Sequence, residues 1–257
     1  MLTKVLLINF MAFISISTYA QCKNVKLQVL GSGGPELDDG RNSSSYILWN
    51  NNKSVLLVDT GPGTSTSFSK TGAKFEDLQA VLFTHFHVDH SADFPALIKG
   101  SFFTKRAEDL QIFGPSGNEV MPSATEYLSR TFGRKGVYAY LNPYLLKEGR
   151  AKYKIVATNI PLTKRKTSSY SVGNNIKIFA TAIDHGPIAA IAWRIEIKGC
   201  SIVFSEDMTN KFDTLTNFSK NAEVLVASNS IPEQASSRAK TLHMPPTEIG
   251  LIGSCPR

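Results

Sequence analysis

Apolar residues recur along this chain in short runs separated by glycine, proline and asparagine, so the pattern of runs and breaks predicts the elements. Tyr46–Trp49 and Val55–Val58 read as two strands, and Asn50-Asn51-Asn52-Lys53 between them as a hairpin turn, because asparagine tolerates left-handed dihedrals. Phe75–Gln79 predicts a short helix that leads into a strand over Ala80–Phe83, and Ala92–Ile98 is amphipathic at helical spacing. A strand over Leu110–Phe113 stops on Gly114-Pro115-Ser116-Gly117, and a helical pattern follows through Tyr127 to Phe132. In the second half Ile176–Ala182, Ile188–Ile197 and Ser201–Phe204 read as strands, the last two joined at Lys198-Gly199-Cys200. Strands alternate with helices early and follow one another late. The periodicity by itself predicts a mixed α/β fold without internal repeats.

Composition narrows the class. With 257 residues, 42% hydrophobic and 19% charged, the chain can bury a large core and is neither disordered nor collagen-like. Lys4, the apolar run Val5–Ile16 and Thr18-Tyr19-Ala20 predict a secretory leader over residues 1–20, with one domain over 21–257. The run is shorter than the roughly 20 residues that span a bilayer, so the expectation is an exported protein, periplasmic or secreted, with no membrane span after cleavage. Cys22, Cys200 and Cys255 are too few and too far apart for a disulfide framework or a thiolate zinc site, and at most one bridge can form. The formal charge of +7 is unevenly spread: residues 130–170 carry ten Lys or Arg against the single acid Glu148, with Tyr138, Tyr140, Tyr144 and Tyr153 interleaved. This basic, tyrosine-containing insertion or loop region is either a solvated face with its tyrosines packed on the body, or a surface that steers anionic substrates.

The chemistry concentrates in Thr84-His85-Phe86-His87-Val88-Asp89-His90, which holds three of the five histidines directly after an apolar strand. Side chains two apart on a strand point the same way, so His85 and His87 can share one metal. The turn that follows re-aims Asp89 and His90 toward a neighbouring position. Neutral imidazole and carboxylate oxygen are ligands that zinc accepts, and two such ions about 3.5–4 Å apart make a hydrolytic pair.

These residues resemble the HxHxDH signature of the metallo-β-lactamase superfamily, closest in flavour to its ribonuclease Z and arylsulfatase-like branch. The resemblance extends over Leu30-Gly31-Ser32-Gly33-Gly34, Asp59-Thr60-Gly61, Gly114-Pro115-Ser116-Gly117, His185 before Trp193-Arg194-Ile195, and Ser205-Glu206-Asp207. It implies a four-layer αββα sandwich, apparently shortened at its C-terminus, and an enzyme that hydrolyses a phosphodiester or sulfate ester with a zinc-bound hydroxide. His85, His87 and His185 would hold the first metal, Asp89 and His90 the second, and Asp207 would bridge them. Asp89 would also orient the attacking water, and Asp59 reads either as a support for the metal site or as a turn or helix-cap residue. Two positions depart from the family pattern. Glu206 stands where a glycine is usual, and no histidine follows His243-Met244-Pro245-Pro246, so the last imidazole of the second metal has no counterpart. The implied cofactor is Zn2+ with one tight and one weak site, iron and manganese remaining open, and His243 is assigned a proton-donating role rather than ligation. Lactonase, thioesterase or β-lactamase chemistry, iron-dependent glyoxalase-like or sulfur-oxidising activity, and a non-catalytic metal-binding remnant are the competing readings. A small anionic ester is the expected substrate, and export argues against nucleic acid.

Overall fold

The computed structural model describes residues 22–163 and 166–253. The predicted leader, Lys164, Arg165 and Cys255 lie outside the described residues. Two sheets form the centre. The first has six strands in sequence order, β1 (Val25–Gly31), β2 (Ser45–Asn50), β3 (Lys53–Val58), β4 (Ala80–Leu82), β5 (Leu110–Pro115) and β6 (Ile155–Ile160). The second runs β11 (Val224–Ala227), β10 (Cys200–Glu206), β9 (Ile191–Ile197), β8 (Ile176–Ala182) and β7 (Thr167–Val172). The helices are α1 (Thr64–Lys70), α2 (Val88–Ser91), α3 (Phe94–Ser101), α4 (Ala124–Phe132), α5 (Pro143–Leu146), α6 (Thr214–Phe218), α7 (Ser237–Lys240) and α8 (Pro246–Gly253).

Alternation along the strands explains the layers. In β3 Leu56 and Val58 enter the core between the sheets, whereas Leu57 faces the helical side, and Ala80 and Leu82 of β4 separate from Val81 in the same way. Helices α3 and α4 cover the outer face of the first sheet through Phe94, Leu97, Ile98, Leu128 and Phe132. The outer face of the second sheet carries a smaller core of Val203, Leu215, Met244 and Ile252 with α6 and α8. Helix, sheet, sheet and helix therefore stack as the expected αββα sandwich. Strands β3 to β6 pair in parallel, and the burial of β3, β4 and β5 on both faces accounts for their near-continuous apolar runs.

The Asn51 and Asn52 φ angles of 50° and 60° make the predicted hairpin turn, and Lys198 and Gly199 make another. Three segments differ from the periodicity. The helix expected over Ala92–Ile98 is α3, which starts two residues later at Phe94 with Pro95 in its first turn, after the separate short helix α2. Strand β9 begins at Ile191 rather than Ile188, since Ile188 closes a turn on the His185 carbonyl. The basic 130–170 stretch is not one loop: it holds the end of α4, α5 and the paired strand β6. Tyr144 and Tyr153 are buried in the core beneath it, while Tyr138 and Tyr140 are exposed. A disulfide joins Cys22 to Cys200 and ties the start of the described chain to β10.

Candidate metal centre

Strand β4 delivers the histidine motif to the sheet edge, and the turn into α2 then redirects the chain so that Asp89 and His90 come back beside His85 and His87. The Asp-Thr-Gly turn after β3 is bonded to it by backbone: Asp59 N donates to Leu82 O, Thr60 N to His90 O and Asp93 N to Thr60 O, all within 2.9 Å. His185 follows β8, where Gly186 at φ 60° bends the chain, and the Trp193 indole N–H donates to Phe83 O across the two sheets. Asp207 follows β10. Three long-range segments thus meet at one edge of the sandwich.

Ligand atoms from His85, His87, His185 and Asp207 converge within 4.8 Å of one another, and so do those of Asp89, His90 and Asp207. Asp207 belongs to both groups, with its Oδ2 3.8 Å from His90 Nε2 and 3.8 Å from His185 Nε2. The outer hydrogen bonds decide which imidazole nitrogen faces inward. Asp59 accepts from Thr84 N at 2.8 Å, from Thr84 Oγ1 at 2.7 Å and from His90 Nδ1 at 2.8 Å. With its hydrogen given to Asp59, Thr84 Oγ1 can only accept from His85 Nδ1, 3.1 Å away. His185 Nδ1 donates to Leu242 O at 3.0 Å. Each bond leaves Nε2 as the free lone pair on the inner side, and the Nε2 atoms of His85 and His185 are buried without a partner. Two buried acceptors turned toward a carboxylate fit a divalent metal ion.

The electrostatics agree for three of the four imidazoles. Burial holds the imidazoles of His85, His87 and His185 below their usual pKa, so they stand neutral, as ligands must. Burial also opposes charge on His90, but the Asp59 and Asp207 carboxylates outweigh it and raise the metal-free His90 well above its usual value. Burial likewise disfavours an ionised Asp207, yet the adjacent His243 and His90 imidazoles hold its carboxyl below the ordinary carboxylate range.

Asp59 is a support for the histidines and not a helix cap, since Gly63 occupies the cap of α1. A third grouping of Asp59, His90 and Glu206 lies on the outer side of His90, whose Nδ1 is already engaged by Asp59. Glu206, at the position of the expected glycine, keeps a left-handed φ of 47° and is buried. Its Oε2 accepts from Ser44 Oγ at 3.0 Å and its Oε1 has no partner. Burial and then the Asp59 charge push its carboxyl up to about 8. His243 lies outside the converging groups: its Nδ1 is 3.5 Å from Asp207 Oδ1 and its ring 5.1 Å from that of His185.

Two residues had no signal in the motifs. Ser228 and Ser230 bond Asp207 Oδ1 at 2.8 and 3.2 Å and so leave Oδ2 facing the histidines. Polar residues directly after the apolar strand β11 were the one available clue. A cavity of about 1030 Å³ opens over the cluster, lined by Arg41, Tyr46, Pro187 and Arg238 besides the residues above.

The sequence matches the family model of the metallo-beta-lactamase superfamily over residues 38–215, more than half of the chain. The chain belongs to the metallo-β-lactamase superfamily. It is a hydrolase of that fold, with a candidate divalent-metal centre in the place described. Among curated relatives, ribonuclease Z of Picrophilus torridus is 27% identical over 78% of this chain and 72% of its own length. Ribonuclease Z of Mycobacterium bovis is 28% identical over 79% of this chain and 69% of its own. Of solved structures, the short form of human tRNase Z superposes with a TM-score of 0.69 over 88% of this chain and 87% of that one, at 18% identity. At that identity the superposition shows a shared superfamily fold.

Proposed function

We propose that this metallo-β-lactamase-fold hydrolase is a zinc-dependent phosphodiesterase of the exported compartment. The observation that carries the reading is the set of imidazoles whose outer nitrogens are engaged and whose inner ones converge with Asp207. In this reading His85, His87 and His185 hold one zinc and Asp89 with His90 the other, Asp207 lying between. When bound, the zinc pair supplies Lewis acidity toward a phosphoryl oxygen and lowers the pKa of water to about 7.

The chain's own residues do the rest. Asp89, within reach of His90 Nε2 at 3.5 Å, orients the attacking water and accepts its proton. His243, on the cavity wall beside Asp207, gives a proton to the leaving oxygen. Arg41 and Arg238 line the same cavity and favour an anionic ester over a neutral one. The names of the two curated relatives support phosphodiester cleavage. The Cys22–Cys200 disulfide supports the exported compartment, because such bridges persist where thiols are not kept reduced.

The test is hydrolysis of bis(p-nitrophenyl) phosphate beside p-nitrophenyl sulfate by the zinc-loaded protein and by His87→Ala. The expected result is phosphodiester turnover that chelation removes and that the variant lacks. Sulfate turnover alone, or equal rates for variant and parent, would falsify the proposal.

A further inference from the structure

A second feature lies away from the metal centre. Helix α3 is followed directly by Phe102 and Phe103, which are 43% and 79% exposed, and Tyr140, 63% exposed, stands beside them. The Lys99 ammonium lies 5.0, 5.7 and 5.9 Å from the three ring centroids. Phe102 also walls a cavity of about 440 Å³ whose charged residues are Arg106, Arg150 and Lys152, with no carboxylate in its lining. Arg106 is a buried cation. Its guanidinium nitrogens donate to the carbonyls of Phe75, Leu78 and Asp109, while its Nε has no partner.

The structure assigns to this face the binding of an anionic phospholipid surface, with the basic cavity taking a headgroup phosphate and Phe102 and Phe103 entering the acyl boundary. Exposed phenylalanines have no polar tip to keep them in water, and at a bilayer interface their burial is favourable. The cations beside them add attraction to anionic lipid. Nucleic acid fits less well, since stacking needs open ring faces. Here Phe102 and Phe103 meet edge to face at 82°, and Lys99 covers their faces. The location suits docking without blocking substrate. Strands β4 and β5 are parallel, the site stands at the C-terminal end of β4, and Arg106 precedes the N-terminal end of β5. Membrane contact would leave the mouth of the metal centre facing away.

The experiment uses the protein as exported, with vesicles of phosphatidylcholine alone or mixed with phosphatidylglycerol, and reads co-sedimentation. The parent is expected to bind the anionic vesicles about tenfold more tightly than the neutral ones, and less so at high salt. Phe102→Ser with Phe103→Ser should weaken binding about tenfold, and Arg150→Glu with Lys152→Glu should remove the preference for anionic lipid. Circular dichroism and bound zinc should be unchanged in both variants, which touch nothing in the metal centre. The inference is overturned by a parent that stays in the supernatant, or by folded variants that bind as the parent does. Binding of a single-stranded oligonucleotide that the same variants lose, without vesicle binding, would make the face a nucleic-acid surface. Self-association that Phe103→Ser abolishes, again without vesicle binding, would make it a contact between copies.

Discussion

Glu206, where the resemblance implies a glycine, and His243, beside Asp207, each make a separable prediction. His243 is near Asp207 yet outside both converging ligand groups, and the proposed reading gives its imidazole a proton to move rather than a metal to hold. His243→Ala is expected to lower kcat about a hundredfold, within the range of general-acid contributions, while zinc content stays at the parental value. Loss of one zinc per chain in the variant would make it a ligand instead. Glu206 bears on stability. Its carboxyl is near 4.5 when free and about 8 in the metal-free fold, so the folded state binds the proton more tightly than the unfolded one. Its contribution is whole below about pH 4.5 and is lost as the pH rises through about 8. Glu206→Gln cannot ionise, so its melting temperature relative to the metal-free parent should rise between pH 5 and pH 9. A difference that is constant across that range would refute the assignment.

At the scale of elements, the centre depends on how closely the Asp59-Thr60-Gly61 turn lies against α2. A Cβ on Gly61 would stand 2.0 Å from Asp89 O and 2.7 Å from Ser43 Cβ, closer than atoms approach. Because Thr60 and Asp93 bond across the same junction, the turn cannot withdraw without breaking backbone bonds that position His90. Gly61→Ala is therefore expected to destabilise by about 3 kcal/mol, with weaker zinc binding, whereas Gly72→Ala, which meets nothing within 4 Å, serves as the comparison for a φ of 76° in open space. Chemical denaturation of both variants measures the difference. Equal losses would mean that the close approach at Gly61 costs no more than a left-handed alanine in open space, and would refute the assignment.

For the whole molecule, the Cys22–Cys200 bridge closes a loop of 178 residues around most of both sheets. Closing so long a loop restricts the unfolded chain, and Cys200→Ser should lower stability by about 2–5 kcal/mol, read by denaturant unfolding with and without reductant. Reductant should affect the parent and leave the variant where it is. Among the described residues no helix is long and apolar enough to cross a membrane. The sequence by itself determined what depends on local spacing. Continuous apolar runs over Val55–Val58 and Ala80–Phe83 specified strands, the asparagine run specified a hairpin, and His85-x-His87-x-Asp89-His90 carried its own chemistry because strand and turn geometry are local. His185 and Asp207 were legible only through resemblance, since a single histidine or aspartate at a strand end has no periodicity to mark it. Tertiary structure alone decided the tautomers. Asp59 fixes His90 directly and His85 through Thr84, the Leu242 carbonyl reaches His185 from 57 residues away, and Ser228 with Ser230 orients Asp207 across more than 20. It also divided the basic stretch, burying Tyr144 and Tyr153 while leaving Tyr140 beside Lys99. Charge and aromatic content are written in composition, but which side chain meets which depends on how distant segments pack, and no local pattern encodes that.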